Sequence, residues 1–197
     1  MVVFCKEHMQ SRGKKMFGFG KQNAPKRYQL HQRLIALGDD FYIEDENGDQ
    51  VFHVDGKLFA IRETLSFNDM DGNVLANIQQ RLLRIRDTME IEDSDGKTLA
   101  VVKKALFTLL TQRFDVTVED GPDLEIQGSI LDHEYNIKAD GRKVAEVSKR
   151  WFSLRDSYGV EIEPGQNDVI ILAITVAIDM MREEPDSKPD LNPGDND

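Results

Sequence analysis

Asp168-Val169-Ile170-Ile171-Leu172-Ala173-Ile174-Thr175-Val176-Ala177-Ile178-Asp179-Met180-Met181 decides how the rest of the chain is read. Pro164-Gly165 closes whatever precedes it, and Asn167 or Asp168 can supply an N-cap oxygen. The run is apolar at every helical angle, and a helix apolar all round is buried all round. Its 14 residues span about 21 Å at about 1.5 Å per residue. A six-residue β-strand spans about 20 Å, so a wall of such strands matches the helix in length. A bilayer crossing needs about 20 apolar residues. This run is too short for one.

Upstream of the helix the pattern is β. Asn47-Gly48, Asp71-Gly72, Asp95-Gly96, Asp120-Gly121 and Asp140-Gly141 are turn dipeptides, and the first three glycines are 24 residues apart (72 − 48 and 96 − 72). Asp55-Gly56 adds a sixth candidate. Asx-Gly tolerates positive φ at both central positions, which predicts type I′ hairpins. Between the turns, Val74, Ala76 and Ile78 alternate with polar residues. So do Phe114, Val116 and Val118, Tyr135 and Ile137, Ala145 and Val147, and Tyr158, Val160 and Ile162. That period of two marks strands with one face in a core and one in water. The spacing predicts a closed antiparallel barrel of about twelve strands. Such a barrel is wider inside than the eight-stranded kind that side chains alone fill, and a central helix over 168–182 occupies the difference.

The ends of the chain read differently. Residues 1–26 are basic and lack periodicity, and residues 185–197 hold prolines and aspartates with one leucine. Neither stretch buries enough apolar surface to offset its ordering entropy. The expected organisation is an N-terminal tail at 1–26, one barrel domain at 27–184 and an acidic tail at 185–197. The short apolar start, Val2 to Cys5, is no secretory signal. Cys5 is the only cysteine of the chain, which points to a reducing, cytoplasmic compartment. A net charge of −11 repels phosphate backbones and makes nucleic acid an unexpected partner.

No catalytic set stands out. There is no G-x-S-x-G, no P-loop and no dinucleotide fingerprint. His8, His31, His53 and His133 are scattered, without H-x-x-x-H or C-x-x-C, so neither metal nor cofactor is expected. His133, between Asp132 and Glu134, reads as a surface residue of a hairpin. The acidic turns Asp69 to Gly72 and Asp93 to Gly96 lack the ligand set of a calcium-binding EF-hand. Asp179, inside the apolar helix, either emerges at the barrel mouth or is buried against an arginine or lysine.

The residues Phe41 to Gly48 (FYIEDENG), Val51 to Lys57 (VFHVDGK), Thr98 to Lys104 (TLAVVKK) and Asp132 to Tyr135 (DHEY) carry a wider resemblance. With Val144 to Ile162 (VAEVSKRWFSLRDSYGVEI) and the helix Asp168 to Asp179, the chain resembles the LURP-one-related family from about Tyr28 to Glu183. That family is similar in fold to tubby C-terminal domains and phospholipid scramblases. The resemblance implies the same barrel around a C-terminal helix and little about activity. It links plant relatives to pathogen defence and, by fold analogy alone, tubby relatives to phosphoinositides. The cysteine-rich and proline-rich segments of scramblases are missing here.

The leading expectation is therefore a non-enzymatic cytosolic scaffold or sensor binding an unidentified protein or small ligand. The alternative is a membrane-surface module for anionic phospholipid heads. Its candidate anion patch is Arg84 and Arg86, Lys103 and Lys104, and Lys149 and Arg150, read as three strand segments that folding could bring together. The plainer reading of these cations is a solvated exterior. Trp151 and Phe152 are adjacent, so one is expected inside and one outside.

Overall fold

The computed structural model describes residues 24–31, 40–56, 58–59, 62–80, 88–107, 112–151 and 157–183. The strands are β1 (Lys26–His31), β2 (Phe41–Asp45), β3 (Gln50–Asp55), β4 (Leu58–Phe59), β5 (Arg62–Asp69), β6 (Val74–Gln80) and β7 (Thr88–Glu92). They continue as β8 (Thr98–Phe107), β9 (Gln112–Val118), β10 (Leu124–Ser129), β11 (Glu134–Ala139), β12 (Arg142–Ser148) and β13 (Ser157–Ile162). The helix α1 (Asp168–Glu183) follows.

Strands β5 to β13 form an antiparallel meander, β1 pairs with β13, and β2 and β3 continue outward from β1. The ring closes where β3 meets β5, with Phe52 opposite Asp69 and Asp55 opposite Ser66. The two-residue β4 is an appendage on β5, so the closed barrel has twelve strands.

Alternation places one residue in two inside. Ala76, Ile78, Phe114, Val116, Tyr135, Ile137, Ala145, Val147, Tyr158, Val160 and Ile162 are all buried. Val74 and Val118, at strand ends beside turns, are exposed and half-buried. Every residue of α1 from Ile171 to Met181 is buried, so the barrel wall surrounds the helix. Asn167 caps it, its Oδ1 accepting the Ile170 N–H at 3.3 Å. In the first turn Asp168 ion-pairs with Lys26 and accepts the Tyr28 hydroxyl at 2.8 Å. This fixes β1, which begins at Lys26, to the start of the helix. Burial, and then the Asp168 carboxylate, push the Tyr28 phenol upward.

The turns correct the expectation of type I′ geometry. Only Asp140-Gly141 has positive φ at both positions, 49° and 75°. At Gly48, Gly72 and Gly96 the glycine alone is left-handed. Each of these three turns is instead organised by an aspartate three residues before the glycine. Oδ1 of Asp45 accepts the N–H groups of Asn47 and Asp49, that of Asp69 those of Asp71 and Asn73, and that of Asp93 those of Asp95 and Lys97. The repeat is Asp-x-Asx-Gly, a side-chain-stapled turn with a left-handed glycine. Gly121 is not in the left-handed region.

Backbone N–H groups, led by that of Asn47, hold the Asp45 carboxyl below the usual range. The Asn73 side chain does most for Asp69. A carboxyl that binds its proton less readily when folded stabilises the fold above its unfolded pKa, about 3.9, and that contribution is lost as pH falls through the lower folded value. Carboxyl-detected NMR titration is expected to give midpoints below about 3.9 for both. The double variant Asp45→Ala, Asp69→Ala is expected to lose stability less steeply in acid than the parent.

Candidate functional site

The meander gives the barrel two unlike ends. The tight turns β2–β3, β5–β6, β7–β8, β9–β10 and β11–β12 all lie at one end, with the loop into α1 and the start of β1. That rim is acidic, carrying Asp45, Asp69, Asp93, Glu119, Asp120 and Asp123 among others. Lys97 is there too, but its ammonium lies 3.1 Å from Asp120 and is pushed upward in pKa by that carboxylate.

Within the rim, a cleft of about 380 Å³ opens between the β9–β10 hairpin and the first turn of α1. Leu99, Val118, Pro122, Leu124, Ile170 and Ile171 supply its apolar lining. Leu99, Val118 and Ile170 are half-buried, so they present apolar surface to the opening. The volume lies at the lower end of the range for ligand pockets, about 300–1,000 Å³. Nothing in the turn dipeptides signals this cleft, because its walls come from three separated segments.

At the opposite end, three polar side chains meet inside the wall. His133 is 1 % exposed, Tyr158 0 % and Asp179 4 %. The Tyr158 hydroxyl donates to Asp179 Oδ2 at 2.5 Å, and His133 Nε2 lies 3.3 Å from Oδ1. The imidazole also stacks on the Tyr158 ring at a centroid separation of 4.2 Å. One expectation is corrected here and one alternative is decided. His133 is a core residue, and Asp179 is buried with a tyrosine and a histidine against its carboxylate, away from the barrel mouth.

The local cause is the β10–β11 corner, where a short helical turn, Ile130–Asp132, ends on His133 in the left-handed region (φ 52°). That conformation turns His133 inward between the acids that flank it in sequence. Asp132 accepts the Ser129 hydroxyl at 2.6 Å outside. Gly128 permits the close approach of β10 to β11, since a Cβ there would stand 2.4 Å from the Glu134 carbonyl oxygen. The three buried groups clamp the end of α1 to the wall. Their burial closes them to any substrate.

Of the six candidate cations, the four among the described residues fall into two separated pairs. Arg84 and Arg86 lie outside those residues. Lys103 and Lys104 are on β8, in register with Asp115 and Phe114, and so project to opposite faces. Lys149 and Arg150 do not continue a strand, as expected from sequence, but form a helical turn, Lys149–Trp151, after β12. Glu134 organises that turn. Its carboxylate accepts the Ser148 hydroxyl at 2.9 Å, the Lys149 N–H at 3.1 Å and the Arg150 guanidinium at 3.0 Å. Strands β9, β10 and β11 separate the two cation pairs. Trp151 lies outside the barrel, its ring 5.6 Å from the Arg27 guanidinium, covering a neighbouring strand. Phe152 is outside the described residues.

Among the described residues, no three His, Cys, Asp or Glu side chains are placed to hold a metal ion. No described helix is long and apolar enough to cross a membrane.

Comparison with known proteins supplies the context. A family model described as LURP-one-related matches residues 26–179. The crystal structure of a protein from Arabidopsis thaliana superposes with a TM-score of 0.62 at 19 % identity, covering 81 % of this chain and 93 % of that one. At such identity the likeness concerns the fold. No curated protein matches.

Proposed function

This chain belongs to the LURP-one-related family, and we propose that it is a non-enzymatic cytosolic binding domain that receives a partner at the acidic mouth of its barrel. The observation that carries this reading is the apolar cleft between the β9–β10 hairpin and α1, with Asp120 in its lining, at the acidic end of the barrel. A complementary ligand presents an apolar side chain flanked by cations. Such a ligand is a short basic segment of a partner protein. Apolar burial gives affinity, while the acidic rim gives orientation and rate of encounter. The other polar cluster, His133, Tyr158 and Asp179, is sealed and serves the fold.

The anionic-lipid alternative receives less support. A polybasic surface gains about 1 kcal/mol per cation near an anionic membrane. Arg150 is already held by Glu134, and three strands separate it from Lys103.

One experiment tests both readings. Titration with the capped peptide KKFLKK is expected to shift the methyl NMR signals of Val118, Leu124 and Ile170 saturably at physiological salt. Ile170→Glu is expected to weaken that binding by about 1–3 kcal/mol, in the range of a lost apolar contact. Vesicles rich in phosphatidylserine are expected not to co-sediment the protein. Shifts scattered over the surface would remove the cleft as a site. Strong vesicle binding lost on Lys149→Glu plus Arg150→Glu would put the lipid reading in its place.

A further inference from the structure

The chain carries a segment whose chemistry mirrors that mouth. Residues 14–21, Lys14-Lys15-Met16-Phe17-Gly18-Phe19-Gly20-Lys21, place three apolar side chains between cations. The segment lies outside the described residues, but its point of attachment does not. The described chain starts at Ala24, and β1 begins at Lys26, at the same end of the barrel as the cleft. Lys26 is ion-paired with Asp168, and the neighbouring Asn167 and Ile170 line the cleft. From Lys26 back to Phe19 is seven residues, which reach about 23–25 Å when extended. A twelve-stranded wall at about 4.8 Å per strand has a radius on the order of 10 Å. The tether therefore spans the mouth.

We propose that residues 14–21 dock in the cleft of their own barrel, Met16, Phe17 and Phe19 against the apolar lining and the lysines on the acidic turns, and so compete with an external ligand. This rests on the reading of the cleft as a binding site. Three features support it: complementary charge on a chain of net charge −11, three apolar side chains set between lysines, and a tether fixed beside the cleft. The arrangement makes the N-terminal segment an internal inhibitor. An external partner binds by displacing it.

The test uses the full chain and its variant Phe17→Ser, Phe19→Ser, with the capped octapeptide KKMFGFGK as probe. A short tether gives an effective concentration on the order of millimolar, so for an octapeptide binding near 100 μM the parent is expected to bind about tenfold more weakly than the variant. The variant itself is expected to show shifted methyl signals for Val118, Leu124 and Ile170 before any peptide is added. Equal peptide affinity in both chains would overturn internal docking while leaving the cleft a binding site. Absence of octapeptide binding to either chain would also overturn it, and the KKFLKK titration then judges the cleft by itself. Cleft signals that change with protein concentration would mean docking onto a second copy, which likewise overturns the internal arrangement.

Discussion

A chain ending at Glu163 is expected to lose cooperative folding entirely, and Ile174→Asp in the full chain is expected to do the same. Seven large apolar side chains of α1 (Ile171, Leu172, Ile174, Val176, Ile178, Met180 and Met181) are buried. At about 1.5–3 kcal/mol each they contribute on the order of 10–20 kcal/mol before opposing terms. Net stabilities of domains are about 5–15 kcal/mol, so the barrel has no means of surviving without the helix. Ile174 is fully buried at mid-helix, and a carboxylate there has no donor and no route to water. Circular dichroism and thermal unfolding decide the outcome. A truncated chain that melts cooperatively near the parent temperature would mean that the wall closes on itself without the helix.

Asp179→Ala is expected to cost about 3 kcal/mol in chemical denaturation, well above the usual effect of a single substitution, about 1 kcal/mol. The loss does not come from the carboxylate alone. Its removal leaves the Tyr158 hydroxyl, which now donates at 2.5 Å, and His133 Nε2, now 3.3 Å away, without their shared acceptor in a dry site. Tyr158→Phe in the Asp179→Ala background is then expected to cost less than in the parent, because the hydrogen bond to Asp179 that it would remove is already gone. A coupling of about 1–3 kcal/mol in that double-mutant cycle is the signature of the network. Strict additivity would mean that the three groups are neighbours without being partners.

These two results bear on different levels of legibility. The helix was readable because apolarity at every helical angle admits only one environment, and burial from Ile171 to Met181 agrees with that. The strands were readable from alternation, as at Phe114 and Val116 or Tyr158, Val160 and Ile162. The turn positions were also legible, whereas their geometry was not. Asx-Gly suits several turn types, and the choice at Gly48, Gly72 and Gly96 falls to the aspartate three residues earlier. That signal was present as Asp45, Asp69 and Asp93 but is local enough to be read as mere acidity.

His133 shows where local reading fails. Its neighbours Asp132 and Glu134 suggest water, yet one left-handed residue at the β10–β11 corner turns the imidazole inward to meet groups 25 and 46 positions away (158 − 133 and 179 − 133). The setting of Lys149 and Arg150, a helical turn where a strand was expected, was hidden for a related reason. A cation's availability depends on its partners, and Glu134 reaches Arg150 only because β11 and β12 are paired.

The sequence by itself determined which residues are apolar, at what period, and where the chain must turn, and so determined a twelve-stranded barrel around a helix. These properties are one-dimensional, since burial follows from the side chain and its spacing. Only the tertiary structure decided that the turns share one acidic end, that Leu99, Val118 and Ile170 open together as a cleft, and that Asp179 is satisfied by Tyr158 and His133. Those are relations between distant segments, and hydrogen bonds or cavities between them exist only once closure of the ring has fixed their distances.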